Sequence, residues 1–142
     1  MLTEFSLMFV LQNVLFAIAF VLVVGAIKEP IRQKAMAIML AMAGGMFAYP
    51  PYAELGFLWG VGIAVCGYFG LRSYKFIGIG WILHGVWDTF RYSQDAGLVG
   101  MGPHSSLGCA VFDPMIALWF FLGAPSVWKF AQQSEAEEAK AQ

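Results

Sequence analysis

Charged residues are scarce in this sequence. They make up 12% of its 142 residues, whereas 60% are hydrophobic, and the mean hydropathy is +0.70. A soluble fold of this length could not bury so much apolar surface, which excludes an ordinary soluble domain. The net charge of -1 provides no electrostatic footprint for nucleic acid, so we expect no nucleic-acid partner.

Cysteine is nearly absent too. The two cysteines, Cys66 and Cys109, lie in apolar surroundings, which favours packed thiols over a disulfide framework or a zinc knuckle. A cleaved signal peptide would carry positive charge ahead of its apolar stretch, but Glu4 stands there and the cations follow the stretch. We therefore expect the first apolar segment to be retained as a helix.

Five long apolar runs fill most of the chain. The first, from Phe5 to Ile27, would extend roughly 34 Å as an α-helix, enough to cross a hydrocarbon core of about 30 Å. The other four cover residues 35–49, 54–71, 76–92 and 109–130. The second run is short and ends at Pro50 and Pro51, which leaves open whether it spans the bilayer fully.

The predicted fold class is therefore all-α, a polytopic transmembrane bundle of about five helices. It forms a single domain over residues 1–131, and residues 132–142 follow as a solvated tail. Small residues at Gly56, Gly60 and Gly67 form a stripe on the third helix. Such a stripe predicts that another helix packs closely against it.

The positions of the cations predict how the bundle is oriented. Of the eight Lys and Arg residues, all but one share one side of the five-helix scheme: Lys28, Arg32, Lys34, Arg72, Lys75, Lys129 and Lys140. Only Arg91 lies on the other side. Because cytoplasmic loops carry an excess of Lys and Arg, we expect a multi-pass protein of the cell membrane with its N-terminus outside and its C-terminus in the cytoplasm.

Polar residues in the apolar zone concentrate in the outer half of this scheme. On the fourth helix, His84, Asp88 and Arg91 project from one face, because they are four and three residues apart. An ionisable residue in hydrocarbon costs at least about 2.5 kcal/mol unless it is paired or wetted, so such a cluster indicates a functional site.

Two kinds of chemistry fit this cluster. His84 can be a metal ligand or a general base, and Asp88 can be a second ligand or can orient the imidazole. Asp113 on the fifth helix would complete a catalytic set, and His104, in the segment before that helix, would complete a metal set of His84, Asp88, His104 and Asp113. A divalent ion would be the cofactor, although the sequence does not identify one.

Structural explanations stand beside each of these roles. His84 and Asp88 also fit a simple buried pair, and Arg91 fits an interfacial side chain that snorkels to water. Asp113 precedes Pro114, a combination typical of an N-cap and a first helical residue. Ser105 and Ser106 could be nucleophiles, but no G-x-S-x-G or S-x-x-K signature accompanies them.

Several segments resemble one known family. They are the run from His84 to Asp88, the run from Ser105 to Asp113, Trp119, and the run from Gly123 to Pro125. Together they are similar to a family of small, functionally uncharacterised integral membrane proteins of about this length. That family often carries histidine where this chain has Arg91 and Tyr92, so the resemblance implies a site with fewer histidines here. The resemblance supports the predicted membrane topology, but it does not identify an activity.

Three functions remain open. The first is a membrane-embedded metal-binding or acid/base site that acts on an apolar substrate from the outer leaflet. The second is a small carrier coupled to protons or cations, although no inverted repeat is evident. The third is an accessory subunit, in which the polar cluster only joins helices. The expected partners are the lipid bilayer and either a second copy of the chain or a larger membrane complex.

Overall fold

Five α-helices follow one another in the computed structural model, which describes residues 7–48, 50, 52–95, 104–126 and 128–129. They are α1 (Leu7–Gly25), α2 (Ile31–Gly45), α3 (Ala53–Gly70), α4 (Tyr74–Ser93) and α5 (His104–Phe121). The described residues contain no β-strand. The prediction of an all-α fold with five helices is therefore confirmed for this part of the chain. The predicted tail, residues 132–142, lies outside it.

Helix α4 is the centre of the bundle. It packs against α5, α3 and α2, whereas α1 packs chiefly against α5. Side chains from all five helices share one apolar core, whose fully enclosed members include Leu40, Ile63, Ile77, Ile116 and Phe120. The arrangement places one whole face of α4 inside the protein, and this is the face that carries the polar side chains.

The small-residue stripe on α3 lies directly against α2. A Cβ atom added at Gly60 would lie 2.3 Å from the carbonyl oxygen of Gly44, and one added at Gly67 would lie 2.8 Å from that of Ala37. Real Cβ atoms do not approach a carbonyl so closely, so glycine is what allows the two backbones to meet. The predicted close helix contact is confirmed.

Helix α2 is displaced from its prediction by four residues at each end. It begins directly after Pro30 and ends at Gly45, instead of covering residues 35–49. Proline at a helix start loses no internal hydrogen bond, and the pair Gly44 and Gly45 weakens the last turn. With 15 residues the helix extends only about 22 Å, less than a hydrocarbon core of about 30 Å.

Helix α5 departs most from its prediction. It begins at His104, not at Cys109, and it ends at Phe121, well before Phe130. The end is explained by Gly123 and Ala124, which both adopt positive φ angles of 84° and 49°. Pro114 lies inside the helix, so the interpretation of Asp113 as an N-cap is wrong. The proline removes one internal hydrogen bond without ending the helix.

A buried arginine ties the beginning of α2 to its neighbours. Arg32 donates from Nε to Glu29 (2.9 Å) and Tyr74 (3.1 Å), from Nη1 to the Gly25 carbonyl (3.1 Å), and from Nη2 to Glu29. Tyr74 donates its own hydrogen bond to Glu29 (2.5 Å). Partial burial acts to raise the pKa of Glu29, but the hydrogen bonds from Tyr74 and Arg32 outweigh it and lower that pKa. The charge pattern predicts Arg32 only as a cation on the cytoplasmic side, and its burial was not predicted.

Two of the described helices, α1 and α3, are long and apolar enough to cross a membrane. Helix α1 also exposes large apolar side chains along its length, including Leu7, Met8, Leu15, Phe16 and Val23. These features provide weak support for membrane association. Helices α2, α4 and α5 do not combine the same length and apolar composition. Helix α2 is too short.

Candidate functional site

His84 is at the centre of the polar cluster. It lies in the second half of α4 and is 6% exposed. Its Nδ1 atom is 2.8 Å from Oδ2 of Asp113 on α5, with the geometry of a hydrogen bond. Because α4 and α5 pack tightly along their length, this contact brings together two residues that are 29 positions apart in the sequence.

Asp88 lies one helical turn after His84 and is fully buried. Its Oδ2 atom is 3.0 Å from the same Nδ1 atom of His84. Nδ1 can carry only one proton, and that proton can point to only one carboxylate. Accordingly, neither oxygen of Asp88 has a hydrogen-bond partner among the described residues. A buried carboxylate without a hydrogen bond destabilises the folded protein unless a ligand or an ion compensates for its lost hydration.

The three side chains have the spacing of a metal-ligand set. One donor atom from each of His84, Asp88 and Asp113 lies within 4.8 Å of the other two. Two ligand atoms that are each about 2.1 Å from one ion, at right angles, are about 3 Å apart. The distances of 2.8 Å and 3.0 Å from Nδ1 to the carboxylates are close to that value. The unpartnered oxygens of Asp88 therefore fit a role as metal ligands.

Aromatic rings and a glycine enclose the cluster. The ring of Phe47 is 4.7 Å from the imidazole of His84, and that of Trp81 is 5.2 Å away. At Gly85, an added Cβ atom would lie 3.3 Å from the Cβ of Asp113, so the absence of a side chain there lets α5 approach. The result is a site of low water content, in which electrostatic interactions are strong.

His104 does not belong to this group. It is exposed at the first residue of α5, and it lines a separate pocket between α1 and α5. The three-residue group of buried donors lacks it. The sequence hypothesis that His104 completes the metal set rested on a loop folding over the cluster, but His104, Ser105 and Ser106 are helical.

Arg91 also differs from its prediction. It is 3% exposed, so it does not snorkel to the surface of the bundle. It lies three residues after Asp88 on the buried face of α4. Glu54, in contrast, lies exposed in the first turn of α3, as expected for a solvated carboxylate that favours the helix dipole.

Two further polar residues of α5, Ser106 and Cys109, are seven and four residues before Asp113 and so lie on the same helix face. Ser106 is fully buried, and its hydroxyl has no hydrogen-bond partner among the described residues. Cys109 is a free, half-buried thiol on the same face of α5 as Asp113. The signal for Cys109 was its spacing, since residues four apart lie on one helix face and Cys109 is four residues before Asp113.

Comparison with known proteins assigns the chain to a family. The model of a family of unknown function, DUF6010, matches residues 8–126, a stretch that contains α2 to α5 completely and all but the first residue of α1. The chain belongs to the DUF6010 family. The expected resemblance to an uncharacterised family is thereby confirmed. No curated protein and no solved structure matches the chain.

Proposed function

We propose that this protein is a multi-pass membrane protein whose buried His84, Asp88 and Asp113 bind a divalent metal ion and act on an apolar substrate. The observation that carries the proposal is Asp88. A fully buried carboxylate that has an ion-pair contact of 3.0 Å with an imidazole nitrogen, but no hydrogen-bond partner among the described residues, is an incomplete arrangement that a metal ion would complete.

The membrane part of the proposal is supported by the apolar surface. Contiguous exposed apolar side chains on a helix indicate contact with lipid or with another protein, and α1 and α3 have the necessary length. The bias in Lys and Arg then supports five crossings with the N-terminus outside. In that orientation the cluster faces the outer half of the bilayer, at the end of the molecule opposite Arg32.

The chemistry of the donor set supports an active role. One imidazole and two carboxylates suit zinc, manganese or iron, and three protein ligands leave a position for substrate. A divalent ion would supply a Lewis acid there. Asp88 would bind the ion through one carboxylate oxygen, and its other oxygen could accept a proton from the substrate. The aromatic enclosure supports an apolar substrate.

Metal analysis of the purified protein tests the proposal. After equilibration with Zn²⁺ or Mn²⁺ and removal of the free ion, we expect about one bound ion per chain. Asp88→Asn keeps the shape of the side chain but removes its charge, so it should weaken metal binding by at least about 100-fold. The measurement is elemental mass spectrometry, with titration of the ion for the affinity.

A matched control is Glu54→Gln, which removes an exposed carboxylate outside the cluster and should leave metal content unchanged. Helix content by circular dichroism and elution in detergent would establish that the variants fold. Metal content that stays below a tenth of an ion per chain in the wild type, or that is equal in Asp88→Asn and wild type, would refute the proposal.

A further inference from the structure

A pocket of about 630 Å³ opens between α1 and α5. Small-molecule sites in proteins commonly have volumes of about 300 to 1,000 Å³. Phe9, Gln12, Asn13 and Phe16 face it from α1, because residues three, four and seven apart share one helix face. The opposite wall is α5, and the ring of Phe112 lines it near Phe16.

The wall of the pocket is apolar with a polar end, and it carries no Lys, Arg, Asp or Glu among the described residues. Gln12, His104 and Ser105 supply amide, imidazole and hydroxyl groups, whereas Phe16 and Phe112 supply aromatic rings. A phosphate or carboxylate ligand would normally be met by a cationic side chain. The lining therefore matches a neutral polar group joined to an apolar chain.

The shape of the polar end is fixed by a tight contact. Asn13 donates from its side-chain amide to the carbonyl of Phe9 (2.9 Å), which holds its Oδ1 atom toward α5. A Cβ atom added at Gly108 would lie 3.2 Å from that Oδ1 atom. Gly108 thus keeps α1 and α5 close at this level, while the pocket remains open beside the contact.

Cys109 connects this pocket to the buried cluster. Its side chain lines the pocket, and it lies one helical turn before Asp113 on α5. Cys109 therefore belongs both to the lining of the pocket and to the helix face that carries Asp113.

We propose that this pocket binds a neutral single-chain amphiphile, with its hydroxyl, ester or amide head beside Gln12 and Cys109 and its chain along Phe16 and Phe112. The inference rests on the proposed function in one respect, since the amphiphile would be the apolar substrate that the cluster acts on. The pocket opens beside the exposed face of α1, so such a molecule could enter sideways from the lipid.

Thiol labelling tests the occupant directly. Cys66→Ala leaves Cys109 as the only thiol, and in neutral lipid nanodiscs we expect N-ethylmaleimide to modify it. Saturating monoolein, a neutral amphiphile, should slow the modification about tenfold, whereas oleate at the same mole fraction should slow it no more than about twofold. The rate is measured by intact-protein mass spectrometry.

A pair of variants on α1 sharpens the result. Gln12→Leu removes a polar group of the pocket and should reduce the protection by monoolein to about twofold or less. Met8→Leu changes an exposed residue of the same helix outside the pocket and should keep the full protection. Equal protection by monoolein and oleate, or protection by neither, would overturn the inference.

Metal content of the same samples separates this inference from the proposed function. Bound metal without protection by monoolein would reject the amphiphile pocket alone. Protection by monoolein in a protein that binds no metal would retain the pocket and reject the metal site.

Discussion

The two buried polar clusters of this protein differ in one decisive respect. In the first cluster, Nε, Nη1 and Nη2 of Arg32 each donate a hydrogen bond, and the acceptors are Glu29, Tyr74 and the Gly25 carbonyl. Around His84, one nitrogen faces two carboxylates, and Asp88 is left without a hydrogen-bond partner among the described residues. A satisfied cluster stabilises the fold by itself, whereas an unsatisfied cluster indicates a ligand.

Replacement of Arg32 should have the largest effect on stability. Arg32→Met keeps much of the side-chain volume but removes the donors to Glu29, Tyr74 and the Gly25 carbonyl. Glu29 then keeps the hydrogen bond from Tyr74, and the carbonyl keeps that from Ser126. Because Glu29 is partly exposed and can be rehydrated, we expect a loss of about 2 to 4 kcal/mol in the free energy of unfolding. Thermal or denaturant unfolding in detergent measures it. A loss below about 0.5 kcal/mol would contradict the view that this cluster stabilises the fold.

Asp88→Asn should have the opposite effect in metal-free protein. It removes a buried charge that has no hydrogen-bond partner among the described residues, so stability should be unchanged or higher by about 1 kcal/mol. Addition of metal should then stabilise the wild type by about 2.7 kcal/mol at one hundred times its dissociation constant, and not the variant. Melting curves with and without Zn²⁺ provide the comparison. Strong destabilisation of the metal-free variant would make Asp88 a structural residue like Arg32.

Gly85→Ala should disturb the His84 cluster selectively. The new methyl group would lie 3.3 Å from the Cβ of Asp113, so α5 must shift by a few tenths of an ångström. We expect metal affinity to fall about tenfold, with a stability change of no more than about 1.5 kcal/mol. Gly62→Ala, where nothing lies within 4 Å of the added Cβ, is the matched control. Equal effects of the two variants on affinity would argue against a geometric requirement at Gly85.

The smallest expected effect is the pH dependence at Glu29. Its pKa is lowered below 4.5 in the folded protein, so the ionised carboxylate contributes to the free energy of unfolding at neutral pH. As the pH falls below 4.5 and through the lowered pKa, the carboxylate becomes protonated and this contribution is lost. Because the group is partly exposed, the effect should be modest. The difference in melting temperature between wild type and Glu29→Gln should shrink from pH 6 to acid pH. A difference that grows toward acid pH would contradict the sign.

Much of the fold was predictable because apolar runs and turn residues are local signals. The helix count, the close approach of another helix to the glycine stripe of α3, and the shared face of His84 and Asp88 all follow from spacing. The pairing of His84 with Asp113 and the burial of Arg32 and Arg91 depend on packing between helices, which spacing along one helix does not determine. His104 was misplaced for a related reason. The glycines before it predicted that a loop continues through His104, whereas α5 begins at this residue.

The contact between α1 and α5 has a consequence for how the chain is assembled. Among the described helices, α1 is synthesised first, yet its chief partner is α5, the last of them, and Ser126 hydrogen-bonds to Gly25 across 101 positions. In the proposed membrane topology, α1 must therefore wait in the bilayer for this partner while α2 to α5 are synthesised. Its lack of charged residues suits that interval, because a helix without buried charge is stable in lipid before its neighbours arrive.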